Sequence, residues 1–203
     1  MTSGPVATNV HAIVLAAGAG RRFGGGKLLA SWHGAPLLHA ALRSAAAAPV
    51  NAVTVVLGAD GDAIGRAACD FASPRPLRLV EAADWSLGLS ASLRAGIEAL
   101  PPDTRAAFVF LADMPLIPAG VLGPLAAAVL AGSPAAAPVF DGQRGHPVVL
   151  GRALLARIDE LSGDTGARRL LADVEVFEVP APCRGVLLDI DTRAALKAAA
   201  AEA

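Results

Sequence analysis

The sequence predicts a single α/β domain, residues 1–203, in which helices cover both faces of a mostly parallel sheet. Short apolar segments typical of strands alternate with alanine-rich segments typical of helices over most of the chain. The strand-like segments carry almost no polar residues, which is the pattern of parallel strands buried on both faces. The alternation of strand-like and helix-like segments then changes, so we expect two parts on one shared sheet, about residues 10–130 and about 131–203.

The first part consists of strands and helices separated by glycine and proline. A short extended piece is expected at 28–32, after the first strand and its loop. Strands are predicted at 13–15, 53–57, 77–80 and 106–111, and helices before Pro49, at about 62–71 and at 89–100. Proline places boundaries at Pro49 and Pro101, because its ring cannot continue the helical hydrogen bonds.

The second part begins with a predicted β-hairpin. Residues 135–140 and 145–150 are its strands, and Asp141-Gly142 is its turn. Two short helices at about 152–161 and 165–171, strands at 174–179 and 185–188, and an alanine-rich C-terminal helix complete the chain.

Composition excludes several classes of protein. The net charge of −1 gives no basic surface for nucleic acid or an anionic membrane. No apolar run reaches the roughly eighteen residues of a membrane span, and residues 1–10 lack the lysine or arginine of a secretory signal. Cys69 and Cys183 are isolated, so neither a disulfide framework nor a zinc site is indicated. We therefore expect a cytoplasmic protein with no nucleic-acid or membrane partner.

The loop after the first strand is the first candidate site. Its side chains are small from Ala16 to Gly20, and three cations follow at Arg21, Arg22 and Lys27. Glycine permits positive φ and lets backbone N–H groups approach an anion, while the cations supply the charge that a polyphosphate requires. The loop therefore predicts a phosphate site at the carboxyl end of the strand.

This loop matches neither of the two common phosphate-binding motifs. A P-loop requires serine or threonine after the lysine, where Leu28 stands, and a dinucleotide fingerprint requires a third glycine, where Phe23 stands. A glycine-rich hairpin or linker without a ligand is the alternative interpretation.

Two acidic segments are candidates for a metal site. Asp113 stands two residues after the strand 106–111, and carboxylates at strand ends face the ligand crevice of open α/β sheets. Mg²⁺ typically takes one or two protein carboxylates together with substrate phosphates. Asp189 and Asp191 lie on one face of an extended segment, so both could point to a single site. The alternative in each case is a helix cap: Asp113 itself, or Asp191 or Thr192 before the final helix.

Three further segments carry polar residues in loop-like settings. Ser90 is a natural N-cap for the helix 89–100. A hydrolase nucleophile elbow would require glycine at position 92, where Ser92 stands, so that interpretation fails. His146 could act as a general base or as a positioned hydrogen-bonding residue. The glycines before Arg168 could present a helix N-terminus to an anion, or form a solvent-facing turn.

In this order the segments resemble the MobA-like nucleotidyltransferases, and among them the molybdenum cofactor cytidylyltransferases. The loop Leu-Ala-Ala-Gly-x-Gly-x-Arg-Phe-Gly-Gly-x-Lys-Leu-Leu is similar to the family's signature, and Leu-Ala-Asp-Met-Pro and Asp-x-Asp-Thr to its metal-binding segments. Trp-x-x-Gly-x-x-x-Ser-Leu, Arg-Gly-His-Pro and Gly-Asp-x-Gly-Ala-Arg complete the resemblance. The chain departs from the family at Ala82, where asparagine is expected.

The resemblance implies a Rossmann-like, three-layer α/β/α fold of the nucleotide-diphospho-sugar transferase type, with a β-hairpin insertion. It also implies Mg²⁺-dependent transfer of CMP from CTP to molybdenum-bound molybdopterin, with release of pyrophosphate. Ala16-Ala17-Gly18 in place of a Gly-Gly pair favours cytidylyl over guanylyl transfer.

The resemblance assigns roles to individual residues. The catalytic residues are Asp113, Lys27 and Arg22, and the metal ligands are Asp113 and Asp191, with Asp189 as the alternative to Asp191. The nucleotide-binding residues are Leu15, Ala16, Ala17, Gly18, Ala19, Gly20, Lys27, Gly88, Ser90, Ser92 and Asp113. The residues facing the cofactor substrate are Arg144, Gly145, His146, Pro147, Asp164, Gly166 and Arg168.

Other functions remain open from the sequence. A relative that uses GTP, or that acts on another small phosphate, would share most of these segments. A molybdenum cofactor carrier that delivers its load to a recipient molybdoenzyme, without catalysis, is the alternative of a different class. We expect a monomer in either case.

Overall fold

The computed structural model describes residues 9–202, except for the side chain of Glu202. Most of the N-terminal stretch that lacks a basic secretory signal, residues 1–8, lies outside the described residues. The strands are β1 (Val10–Ala16), β2 (Ser31–Trp32), β3 (Ala35–Pro36), β4 (Val53–Leu57), β5 (Leu77–Glu81), β6 (Ala106–Leu111), β7 (Ala135–Phe140), β8 (Gln143–Arg144), β9 (Val148–Gly151) and β10 (Val176–Pro180). The α-helices are α1 (Leu37–Ala47), α2 (Gly61–Cys69), α3 (Leu89–Glu98), α4 (Leu122–Leu130), α5 (Arg152–Leu155), α6 (Arg168–Leu171) and α7 (Arg193–Glu202).

The main sheet is mostly parallel and has the strand order β10-β7-β9-β6-β1-β4-β5. Strand β1 pairs in parallel with β4 and β6, and β4 pairs in parallel with β5. Strand β9 runs antiparallel to β6 and β7, while β10 is parallel to β7. The carboxyl ends of β1, β4, β5 and β6 therefore meet at one edge of the sheet.

Two apolar layers cover the sheet, as the alternation of side chains along β1 requires. Ala12 and Val14 pack in one layer with α1, α2 and α4. Ile13 and Leu15 pack in the other layer with α3, α5 and α6. The predicted α/β fold with helices on both faces of a mostly parallel sheet is confirmed.

A third cluster joins the C-terminal helix to the glycine-rich loop. Ile190 and Ala199 pack with Phe23 and with Trp32 and Leu37. The guanidinium carbon of Arg193 lies 4.9 Å from the centre of the Phe23 ring, within the range of a cation–π contact. This packing holds the segment before α7 beside the loop after β1, although the two are far apart in sequence.

The predicted hairpin is confirmed, with Phe140 opposite Gln143 and Ala135 opposite Leu150. The predicted strand at 185–188 is wrong, because Arg184–Leu187 forms a short 3₁₀ helix. A side chain at position 185 would collide with the carbonyl of Leu116, so glycine lets this segment pack against a loop rather than join the sheet.

The two predicted helices of the second part are shorter than expected. Helix α5 covers only Arg152–Leu155 and α6 only Arg168–Leu171, and 3₁₀ turns lie between them at Ile158–Glu160 and Gly163–Thr165.

Among the described residues, no helix is both long enough and apolar enough to cross a membrane.

Candidate active site

A cleft of about 540 Å³ opens at the edge of the sheet where the parallel strands end. Its walls come from the loop after β1, the end of β6 and the segment leading into α3. The lining residues singled out from the sequence are Leu15, Ala16, Ala17, Gly18, Ala19, Gly20, Arg21, Arg22, Lys27, Gly88, Ser92, Asp113 and Asp164. The other lining residues are Leu28, Trp85, Ser86, Leu89, Leu111 and Ala112, of which Trp85 was detectable as part of the motif containing Gly88.

The loop after β1 depends on glycine for its conformation. Gly20, Gly24, Gly25 and Gly26 all have positive φ, between 57° and 90°. A Cβ atom at Gly20 would also lie only 3.1 Å from the Cβ of Lys27, so the loop folds back on itself at this position. The result brings Lys27 to the floor of the cleft while Phe23 anchors the loop in the third apolar cluster.

Lys27 lies between the two aspartates that the sequence singled out. Its Nζ donates a hydrogen bond to Oδ2 of Asp113 at 2.5 Å and lies 3.5 Å from Oδ1 of Asp191. Nη1 of Arg22 lies 2.8 Å from Oδ2 of Asp191. Only 12% of the Lys27 side chain is exposed, against 77% for Arg22, so the lysine ion pair is the better shielded from solvent.

Neither aspartate is used as a helix cap. Thr192 accepts the hydrogen bond from the backbone N–H of Ala195 at the start of α7, at 3.1 Å. The backbone N–H of Ile190 donates to the carbonyl of Asp113 at 3.0 Å, which fixes the C-terminal segment beside the end of β6. Asp113 lines the cleft, whereas Asp191 lies outside its lining and is joined to it by its ion pairs with Lys27 and Arg22.

The arrangement fits a divalent cation, because two carboxylates already converge on a positively charged group. A hard cation with one or two protein carboxylates and phosphate oxygens is the usual magnesium site. Among the described residues, no three or more histidine, cysteine or acidic side chains form a metal cluster by themselves.

Partial burial, together with the nearby charges of Asp191 and Asp113, raises the pKa of Asp189.

The loop around Asp164 docks onto the start of α3, which belongs to the first part of the chain. Oδ1 of Asp164 accepts a hydrogen bond from the backbone N–H of Leu89 at 3.3 Å. The hydroxyl of Ser90 donates to the carbonyl of Ser162 at 3.0 Å and accepts from the N–H of Gly166 at 3.1 Å.

The predicted N-cap at Ser90 is wrong. The helix is capped by Gly88, and Ser90 is buried within its first turn, where its hydroxyl bonds the loop from the second part. Ser90 is not among the residues that line the cleft, whereas Ser92 is.

The segment Arg144–Pro147 does not line the cleft. The exposed Arg144 forms an ion pair with Glu178, with Nε 2.7 Å from Oε1. His146 is partly buried, and its Nδ1 lies 3.4 Å from the carbonyl of Val109. Burial lowers the pKa of His146, against the opposing effects of that carbonyl and of the Asp113 and Asp189 charges. Arg168, predicted to face the cofactor, is exposed and also lies outside the cleft lining.

Known proteins agree with this architecture. Residues 12–179 match the model of the MobA-like NTP transferase domain. Nicotine blue oxidoreductase of Paenarthrobacter nicotinovorans is 34% identical over 170 residues, which cover 80% of this chain and 81% of the relative. Molybdenum cofactor cytidylyltransferase of Escherichia coli K12 is 23% identical over 183 residues, covering 90% and 91% of the two chains.

Solved structures share the fold over nearly the whole chain. The Mycobacterium sp. strain JC1 homologue of Rv0371c from Mycobacterium tuberculosis superposes with a TM-score of 0.82 at 28% identity, covering 97% of this chain and 98% of the other. A manganese complex of Rv0371c itself superposes with a TM-score of 0.77 at 24% identity, covering 96% and 99%. The central sheet is of the nucleotide-diphospho-sugar transferase type. The chain belongs to the MobA-like NTP transferase family and is an enzyme of the nucleotidyltransferase class.

Proposed function

We propose that this enzyme transfers CMP from CTP to molybdenum-bound molybdopterin and releases pyrophosphate. The observation that carries the proposal is the convergence of Asp113 and Asp191 on Lys27, beside a glycine-rich loop at the end of a buried strand. The name of the Escherichia coli relative and the resemblance of the loops around His146 and Asp164 support the choice of substrates. We include in the proposal the cytoplasmic location and the monomeric state expected from the sequence.

Arg22 and Lys27 bind the triphosphate in this account. Both cations form ion pairs with aspartates, and both lie on the cleft wall formed by the glycine-rich loop. The β- and γ-phosphates attract them by charge, and the backbone N–H groups of the loop add hydrogen bonds to the same oxygens. The negative charge that develops on pyrophosphate is then stabilised by Arg22, Lys27 and the backbone N–H groups of the loop.

Asp113 and Asp191 would hold a Mg²⁺ ion together with the phosphates. When bound, Mg²⁺ would supply neutralisation of the charge on the reacting phosphates. An oxygen of the acceptor's phosphate forms a bond to the α-phosphorus, the bond from that phosphorus to the bridging oxygen breaks, and its electron pair leaves with pyrophosphate. The acceptor oxygen is already ionised, so no general base is required. The partly buried His146, which lies outside the cleft lining, accordingly has no role as a base in this scheme.

One observation favours a second activity. The relative with 34% identity is named an oxidoreductase of nicotine blue, so a redox reaction on an aromatic substrate is the competing proposal. The Asp113–Lys27–Asp191 arrangement argues for nucleotidyl transfer, because a redox site or a pure cofactor carrier has no need of paired carboxylates beside a phosphate loop.

The test is pyrophosphate release from each of ATP, GTP, CTP and UTP, with Mg²⁺ and molybdopterin cofactor. We expect release with CTP from the parent and a release lowered by about a hundredfold or more from Asp113→Asn. Release from Asp159→Asn, whose carboxylate pairs with Arg94 on the surface, should be normal. Release with GTP alone would change the base assignment. If none of the four nucleotides released pyrophosphate, and the absorbance of nicotine blue changed in the presence of a reductant, the oxidoreductase activity would replace the proposal.

A further inference from the structure

We propose that Asp164 binds the ribose 2′-hydroxyl of the nucleotide and makes the enzyme select ribonucleotides over deoxyribonucleotides. The inference rests on the proposed function and adds a specificity-determining residue to the same cleft. The sequence resemblance assigned Asp164 to the cofactor substrate, whereas its carboxylate lies on the wall of the nucleotide cleft.

The order of the strands separates a phosphate end of the cleft from a nucleoside end. Asp113 follows β6 and the cationic loop follows β1, while the segment Trp85–Leu87 comes after β5, at the other side of β4. Adjacent strands are about 4.8 Å apart, so β6 and β5 are separated by about 14 Å. A triphosphate at the cationic end therefore directs its nucleoside toward the start of α3, where Asp164 is bonded.

The chemistry of Asp164 suits hydroxyl groups and excludes phosphates. Its Oδ1 accepts one hydrogen bond from Leu89, which leaves the other oxygen available. Among the described residues it forms no ion pair, so its negative charge remains to repel phosphate oxygens. A carboxylate is a pure acceptor, and acidic side chains bind ribose hydroxyls in dinucleotide sites for this reason.

The carboxylate is held in position before any nucleotide binds. A Cβ atom at Gly88 would collide with Oδ1 of Asp164 and with the carbonyl of Gly163, so glycine at 88 makes room for the loop. The two hydrogen bonds of the buried Ser90 hydroxyl fasten Ser162 and Gly166 on either side of Asp164. A group fixed in this way binds without the entropic cost of ordering a loop.

The test compares the affinities of CTP and 2′-deoxy-CTP, measured by titration calorimetry with Mg²⁺ and without acceptor. We expect the protein to prefer CTP by about tenfold, as for one hydrogen bond to a charged acceptor. Asp164→Ala should lose this preference by binding CTP more weakly, with its affinity for 2′-deoxy-CTP unchanged. Asp164→Asn serves as a second variant, and Asp159→Asn as the matched surface control.

Two results would overturn this inference alone. An unchanged preference for CTP in Asp164→Ala would remove the residue from ribose recognition. A loss of discrimination between CTP and UTP, with the 2′-deoxy preference intact, would assign the carboxylate to the cytosine amino group. Failure of the parent protein to bind any triphosphate would instead reject the proposed function as well.

Discussion

Replacing Lys27 by methionine should increase the affinity of the protein for Mn²⁺ when no nucleotide is present. The lysine ammonium occupies the space between Asp113 and Asp191, 2.5 Å from the first and 3.5 Å from the second. A divalent cation that binds both carboxylates must therefore displace it. Methionine keeps the length of the side chain but leaves the two carboxylates without this counter-ion.

The structure sets the size of the effect. A hydrogen bond between charged groups contributes about 1.5–3 kcal/mol, so its removal should strengthen Mn²⁺ binding by about tenfold to a hundredfold. Lys27→Arg keeps a cation in the same place and should bind Mn²⁺ as weakly as the parent. In the presence of CTP we expect the parent to bind Mn²⁺ more tightly than Lys27→Met does, because Lys27→Met lacks a cation for the triphosphate.

The assay is titration with Mn²⁺ and detection of the free ion by electron paramagnetic resonance, in parallel with pyrophosphate release. Equal Mn²⁺ affinity in the parent and in Lys27→Met without nucleotide would refute this reasoning. It would mean that Lys27 does not compete with the metal for the carboxylates.

Further changes test the site and the fold separately. Asp113→Asn should lower pyrophosphate release by about a hundredfold or more without lowering the melting temperature, because it changes a partly exposed ligand and no core volume; a matching fall in melting temperature would show a structural role instead. Gly88→Ala should cost about 1–3 kcal/mol of unfolding free energy in urea, since φ is 116° there, whereas Gly123→Ala has open space and should cost nothing. Burial, aided by Arg78 and opposed by Asp103, lowers the pKa of His11 below its usual 6.5. The unfolded chain therefore binds the proton more readily, so the unfolding free energy should fall as the pH drops below about 6.5, and less steeply in His11→Gln.

The central strands could be predicted from the sequence because their signals are local. The strands at Val53–Leu57 and Ala106–Leu111 are apolar except for Thr54 and are bounded by turn residues or by a charge, so their limits agree with the structure. The meeting of Asp113 with the loop after β1 follows from the same local signals, since the carboxyl ends of adjacent parallel strands lie together.

The parts that could not be predicted depend on contacts between distant segments. The apolar residues at 185–188 look like a strand, but the close approach of Gly185 to Leu116 and of Gly145 to Val186 places them against loops. Ser90 looks like a helix cap, but its hydroxyl bonds residues that lie 72 and 76 positions further along the chain. Local propensity carries no information about such docking, so the position of Asp164 on the cleft wall emerged only from the structure.

The most direct test of the proposed reaction is the position of a radioactive phosphate after incubation of the enzyme with labelled CTP, Mg²⁺ and molybdopterin cofactor. We predict that label at the α-phosphate appears in the cofactor and that label at the γ-phosphate appears in pyrophosphate. Label from the γ-phosphate in inorganic phosphate, with none from the α-phosphate in the cofactor, would contradict nucleotidyl transfer at this site.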